Sequence, residues 1–266
     1  DPDWTPEDAR YSVMRYYASD IQNAYGPHTA DPRTGEILES DIGWYHNVMN
    51  LLRNWYMIQT AAVNETSRDV KFDDEVMGQL IRFVSAHEVG HTIGLQHNMG
   101  SSSAYPVDSL RSPFFTSSHG VAPSIMDYAR FNYVAQPGDG VTNFYPMVGT
   151  YDIWAIKWGY TYFDGESTKS EQKLLNEWIK SHSGDYEYWF GYSNGIDPRS
   201  QTESIGDDNM MASFYGVQNL KRILPKLLEW SYEEGKNYDD LKELYLNVNS
   251  QFRRYIGHVS TNVGGV

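Results

Sequence analysis

Eleven residues, His87-Glu88-Val89-Gly90-His91-Thr92-Ile93-Gly94-Leu95-Gln96-His97, constrain this chain more than any other stretch. They follow the spacing H-E-x-x-H-x-x-G-x-x-H, in which five positions are specified. At average residue frequencies, a chain of 266 residues shows that pattern by accident about once in ten thousand sequences. Residues four apart on a helix share a face, so a helix through His87 and His91 aims two imidazoles at one ion. Glu88 is turned by about 100° around the axis and stays beside the pair. For His97 to join them the chain must first leave the helix, and Gly94 accepts the left-handed backbone that this turn needs. Three imidazoles leave a fourth position for water or a substrate carbonyl, as catalytic rather than structural zinc sites do. Glu88 can then take a proton from that water and pass it to a leaving amine.

A single histidine on a helix is ordinarily a packed or surface residue; the spacing of these three reverses that reading. His28, His46, His119, His182 and His258 have no such spacing and read as ordinary residues.

Around this stretch the patterning predicts an α+β chain. Tyr11–Tyr17 has strand composition, Ile21–Ala24 reads as a short helical turn, and Asp31–Gly35 as a tight turn. Glu36–Trp44 follows as a strand whose interspersed charges suit a sheet edge. From Tyr45 to Val63 the apolar positions Val48, Leu51, Leu52, Trp55, Ile58 and Ala62 recur at helical spacing. Asn64-Glu65-Thr66 then ends that helix in a loop and formally matches a glycosylation sequon. Asp73-Asp74-Glu75 supplies the acidic start of the central helix, with Val76, Leu80, Ile81, Val84 and Val89 as its expected buried stripe.

Gly100–Ser118 reads as a long irregular loop, and Tyr128–Phe144 as another irregular stretch. Tyr151–Gly159 is a short helix with Gly159 as its stop. Helices are expected over Glu171–Lys180, over Met210–Glu234 with a break at Pro225, and over Tyr238–Ile256. Asp207-Asp208 could hold Ca2+, but without the periodic oxygen ligands of a dedicated loop it reads as a helix cap. These elements predict residues 1–160 as the domain that carries the zinc cleft and 161–266 as a helical subdomain packed on it.

The formal charge of −14, from 21 Lys and Arg against 35 Asp and Glu, repels phosphate backbones and makes nucleic acid an unlikely partner. No apolar run approaches the roughly 18 residues of a membrane span. Without cysteine the chain has no disulfides and no thiol chemistry. It begins at Asp1 without an initiator Met. The expectation is a processed protein or a piece of a longer one, located extracellularly, in the periplasm or in the cell envelope.

Together with Ser124-Ile125-Met126-Asp127-Tyr128, the histidine motif resembles the metzincin clan of zinc endopeptidases. The resemblance implies that His87, His91 and His97 bind zinc, that Glu88 is the general base, and that Met126 lies in a turn beneath the metal. Alone, Met126 reads as a core residue. Ser-Ile-Met-Asp-Tyr is similar to the form in astacins and serralysins, which makes Tyr128 an oxyanion stabiliser or a switchable fifth ligand. A buried structural tyrosine is the equal alternative. More loosely, the Asp31–Glu36 turn and the Trp154 helix resemble a family of large bacterial proteins described as zinc-dependent metalloproteases.

Three departures stand against the clan. The 86 residues before His87 are few for a full upper lobe, the helical tail has no counterpart, and a cysteine switch is impossible. The expected fold is a small sheet and an active-site helix with a lower lobe after Gly94. The expected activity is a zinc-dependent endopeptidase acting on a peptide or protein. Its substrate would lie along the strand near Ile37–Trp44, with Tyr128, Phe131 and Tyr133 beside the scissile bond. A zinc hydrolase of non-peptide amides or esters, and an inactive peptide-binding module, are the alternatives.

Overall fold

A computed structural model describes residues 3–193 and 196–265. The chain divides into two units, Asp1–Gln96 with Gln218–Phe252, and His97–Val217 with Arg253–Val266. Both therefore draw on the last fifty residues.

The first unit opens with five short strands: β1 (Met14–Tyr17), β2 (Ala24–Tyr25), β3 (His28–Ala30), β4 (Ile37–Ser40) and β5 (Ile42–Tyr45). β5 is the centre of a three-stranded sheet, parallel to β1 and antiparallel to β2, with Met14 opposite Ile42 and Ala24 opposite Trp44. β3 and β4 form a separate antiparallel pair. The expected edge strand Glu36–Trp44 is thus two strands in two sheets. Asp41 divides them, because its carboxylate turns to accept the Val13 N–H (2.9 Å) and to pair with Arg15 (2.7 Å). Ile42, Gly43 and Trp44 are buried, as a central strand requires. The helical turn expected over Ile21–Ala24 does not form: residues 21–23 have no regular structure and Ala24 begins β2. The Asp31–Gly35 turn forms as expected, with Gly35 at φ 76° and its N–H donated to the Asp31 carbonyl (2.8 Å).

Helix α1 (Val48–Thr60) buries Leu52, Tyr56, Met57 and Ile58. Helix α2 (Asp74–Thr92) starts where the Asp73 carboxylate accepts the Val76 N–H at 2.8 Å, the N-cap that its acidic start anticipates. Its buried stripe is Val76, Leu80, Phe83 and His87. That 4-3-4 spacing carries the inward face to the first histidine. Val89, two residues further on, points away and is exposed, contrary to the expected stripe.

In the second unit, Gly100–Ser118 is more ordered than its serine content suggests. It holds a 3-10 turn at Ser101–Ala104 and two short helices, α3 (Val107–Leu110) and α4 (Pro113–His119). Pro113 opens α4, and Ser112 Oγ accepts the Phe115 N–H. Tyr128–Phe144 has no regular element. Asn132 organises it by donating to the Leu110 carbonyl (2.7 Å) and accepting the N–H groups of Val134 and Ala135.

α5 (Thr150–Tyr160) runs through Gly159 and ends at Thr161, so Gly159 is not the expected stop. α6 (Thr168–Ser181) follows. α7 (Asn209–Ile223) breaks at a 3-10 turn over Leu224–Lys226 that contains Pro225, and α8 (Leu227–Ser231) and α9 (Asp239–Thr261) complete the chain. Asp208 Oδ1 accepts the N–H groups of Met210 and Met211, and Asp207 Oδ1 accepts that of Val107, so this acidic pair caps helices. No helix among the described residues is long and apolar enough to cross a membrane.

Candidate metal centre

The last two turns of α2 carry His87, Glu88 and His91. The imidazoles of His87 and His91 meet edge to face, with ring centroids 4.8 Å apart. Gly94, at φ 93°, ends the helix: its N–H goes to the His91 carbonyl (3.0 Å), and that of Leu95 to Gly90 (2.9 Å). The same turn aims the Leu95 carbonyl at His91 Nδ1 (2.9 Å). Since a carbonyl only accepts, Nδ1 carries the proton and Nε2 the lone pair, which is the tautomer a metal needs. Past the turn, one nitrogen each of His87, His91 and His97 lies within 4.8 Å of the others. Three imidazoles, that of His91 with its tautomer fixed, make a donor set that suits zinc.

Glu88 is buried beside them, 7% exposed, and burial pushes its carboxyl up to about 7. Gly26 lies against its main chain, where a β-carbon would collide with the Glu88 carbonyl oxygen. Two residues on, His28 donates a ring N–H to the His91 carbonyl (2.9 Å). His28 had no spacing to mark it, yet it is tied to the helix that bears the motif.

In the second unit, Asn98 follows the third histidine and is fully buried. Its main-chain N–H goes to the Met126 carbonyl (3.1 Å), its Nδ2 donates to Trp189 O (2.9 Å), and its Oδ1 accepts the Gly191 N–H (2.8 Å). Met126 has no solvent exposure, and the turn that holds it rests on two buried carboxylates. Asp152, on α5, accepts the Ser124 hydroxyl (2.6 Å) and the N–H groups of Ile125 (2.7 Å) and Gly149 (2.9 Å). Asp127 Oδ2 accepts the Ser102 N–H at 2.7 Å, while Oδ1 has no hydrogen-bond partner among the described residues. Burial raises both carboxyls, that of Asp127 to about 7.

Tyr128 leans on His97 with ring centroids 4.5 Å apart and planes inclined by 59°. Phe131 and Tyr133, the other expected wall residues, are 0% and 1% exposed, and the Tyr133 hydroxyl accepts the Ile205 N–H (3.2 Å). They are core of the second unit, part of the fully buried run Phe131–Ala135, whose one amide side chain, Asn132, is hydrogen-bonded. Patterning around the motif also missed Asn98, Asp127 and Asp152. Asp127 was at least visible as the polar residue inside the methionine segment.

A small sheet, a helix that ends in the histidine motif and a three-histidine cluster are consistent with a metallopeptidase of the metzincin clan. The Met-zincin family model matches residues 69–266, and the chain belongs to that family, which implies zinc as the metal. No curated protein and no solved structure matches the chain.

Proposed function

We propose that the chain is a zinc-dependent endopeptidase in which His87, His91 and His97 hold the ion and Glu88 is the general base. The observation that carries this is the convergence of the three imidazoles within 4.8 Å at the end of the helix that also bears Glu88. Bound there, zinc would lower the pKa of a water toward about 7 and polarise a carbonyl. Glu88 takes the proton of the attacking water and delivers it to the nitrogen of the departing amine. Its elevated carboxyl pKa matches a group that must both accept and return a proton near neutrality.

Tyr128, beside His97, donates its hydroxyl to the carbonyl oxygen as negative charge develops there. Gly94 and Met126 serve the site structurally, Gly94 through the turn after α2 and Met126 through its carbonyl, which accepts the N–H of Asn98 next to His97. The substrate is a peptide or protein, and the enzyme works outside the cytoplasm, in the periplasm, the cell envelope or the medium; fractionation of producing cells tests that location.

The decisive experiment is digestion of a peptide library, with cleavage sites mapped, by the wild-type protein and by Glu88→Ala, each with its zinc content measured. The reading requires internal cleavage by the wild type, and an inactive variant that keeps its zinc. Turnover of ester or non-peptide amide substrates alone would assign a different hydrolase. Full peptide cleavage by Glu88→Ala would remove Glu88 from the mechanism.

A further inference from the structure

Among the described residues, two non-glycine residues have left-handed backbone, Arg130 at φ 60° and Glu203 at φ 63°, and they form an ion pair with each other. Such conformations are costly for side chains other than glycine and persist where the surroundings enforce them. Arg130 Nε lies 3.4 Å from Glu203 Oε1, and Arg254 reaches the same oxygen with Nη1. The pair is deep: the Glu203 side chain is 4% exposed and that of Arg130 14%.

Both members act on one residue. The Arg130 guanidinium lies over the Tyr128 ring, 4.6 Å from its centroid, and the Glu203 N–H donates to the Tyr128 carbonyl at 2.8 Å. Tyr128 in turn packs on His97. The left-handed turn at Arg130 brings its side chain back over the ring two residues earlier.

Glu203 is itself fixed from both sides. The Thr202 carbonyl accepts a ring N–H of His258 (3.0 Å), Ser204 O accepts the Ser102 hydroxyl (2.8 Å), and Ile205 N–H reaches the Tyr133 oxygen. Glycine at either strained position would form the turn without cost, so the need is for the two side chains. Neither was singled out by the sequence motif.

We propose that Arg130 and Glu203 are positioning residues that set Tyr128 against His97, holding its main chain and its ring so that the hydroxyl is aimed before substrate arrives. The consequence for catalysis rests on the endopeptidase reading above; the geometric claim does not. A displacement of about 1 Å at such a group costs on the order of 100-fold in turnover.

The test uses the full chain with ring-labelled histidine, with and without added zinc, in Glu203→Gln, Arg130→Lys and the double variant Arg130→Met with Glu203→Gln, which leaves no lone charge between the two. Tyr128→Ala supplies the reference, and His97→Gln the assignment. In the metal-free protein, the His97 ring signals of Glu203→Gln and of the double variant are expected to move toward their Tyr128→Ala positions, while His119 and His182 stay. Arg130→Lys, which keeps the charge, is expected to move them less.

With peptide substrate, kcat is expected to fall about 10- to 100-fold at unchanged KM, and the loss to vanish in a Tyr128→Phe background. His97 signals unmoved in the folded variants would overturn the proposal. So would losses that simply multiply with that of Tyr128→Phe, or failure of all three variants to fold, which would make the pair purely structural. Movement of the His97 signals in the variants, with a wild type that cuts no peptide, would sustain the positioning and remove the endopeptidase reading.

Discussion

Gly26 passes so close to the main chain of Glu88 that no β-carbon fits between them. The contact joins the segment before β3 to the turn of α2 that carries the proposed base, and it makes position 26 a steric gauge for that turn. Gly26→Ala is expected to destabilise the protein by about 1–3 kcal/mol, the usual cost of overpacking against fixed backbone. Gly78, on the same helix, is the control, since a β-carbon there meets nothing within 4 Å. Gly78→Ala is expected to stabilise by about 0.5–1 kcal/mol through helix propensity. Thermal melting of both variants checks the pair, and equal melting temperatures would disprove the close contact.

Gly94 sits at φ 93°, and the turn it makes delivers the Leu95 carbonyl to His91. An alanine at that φ costs about 1 kcal/mol and tilts the acceptor that fixes the imidazole tautomer. Gly94→Ala is expected to lower zinc affinity about 10- to 100-fold, the usual effect of losing such a supporting bond. Competition with a chromogenic chelator reads this directly.

The Asp152 carboxylate collects the hydroxyl of Ser124 and the N–H of Ile125, just before Met126, and the N–H of Gly149 at the start of its own helix. Asp152→Asn replaces one acceptor oxygen by a donor, which then faces donors. A loss of about 2–4 kcal/mol is expected from leaving buried groups unmatched. Denaturant titration measures it; an unchanged midpoint would show that the turn holds without this support.

Asp127 gives a pH dependence of defined sign. Burial lifts its carboxyl from 3.8 to about 7 in the folded chain, against the opposing bond from Ser102. The folded state therefore holds its proton more tightly than the unfolded state does. Stability from this group is complete below pH 3.8, declines as pH rises toward about 7, and is level above that. Asp127→Asn keeps an oxygen for Ser102 and cannot ionise. Its stability relative to wild type is expected to climb by about 1–4 kcal/mol between pH 4 and 7. Parallel stability curves for the two proteins across that interval would contradict the assignment.

What the sequence made legible was what covalent spacing determines. Three histidines within eleven residues need only one helix and one glycine turn to meet, and Asp73 caps that helix through a neighbour three residues away. The supports of the methionine turn join residues that share no period: Ser124 and Asp152 are 28 apart, Asn98 and Trp189 are 91 apart. The division of Glu36–Trp44 was hidden for the same reason, since Asp41 breaks the strand only by reaching back to Val13 and Arg15. Phe131 and Tyr133 show the converse error, aromatic residues near a motif that belong to a core rather than to a pocket.

The first unit takes its closing segment, Gln218–Phe252, from beyond the whole stretch His97–Val217. At about 5–20 residues per second, a ribosome needs on the order of ten seconds to add those intervening residues. Throughout that interval the nascent α1 lacks the Glu243 carboxylate that Asn50 and Asn54 both donate to, and the acidic partners, Asp240 and Glu243, that Arg53 meets on α9. Residues up to Gln96 cannot finish folding as they emerge from the exit tunnel. Their completion waits for α9, so a message that stops short of it yields a motif-bearing helix on an unfinished scaffold, a natural client for chaperones and proteases.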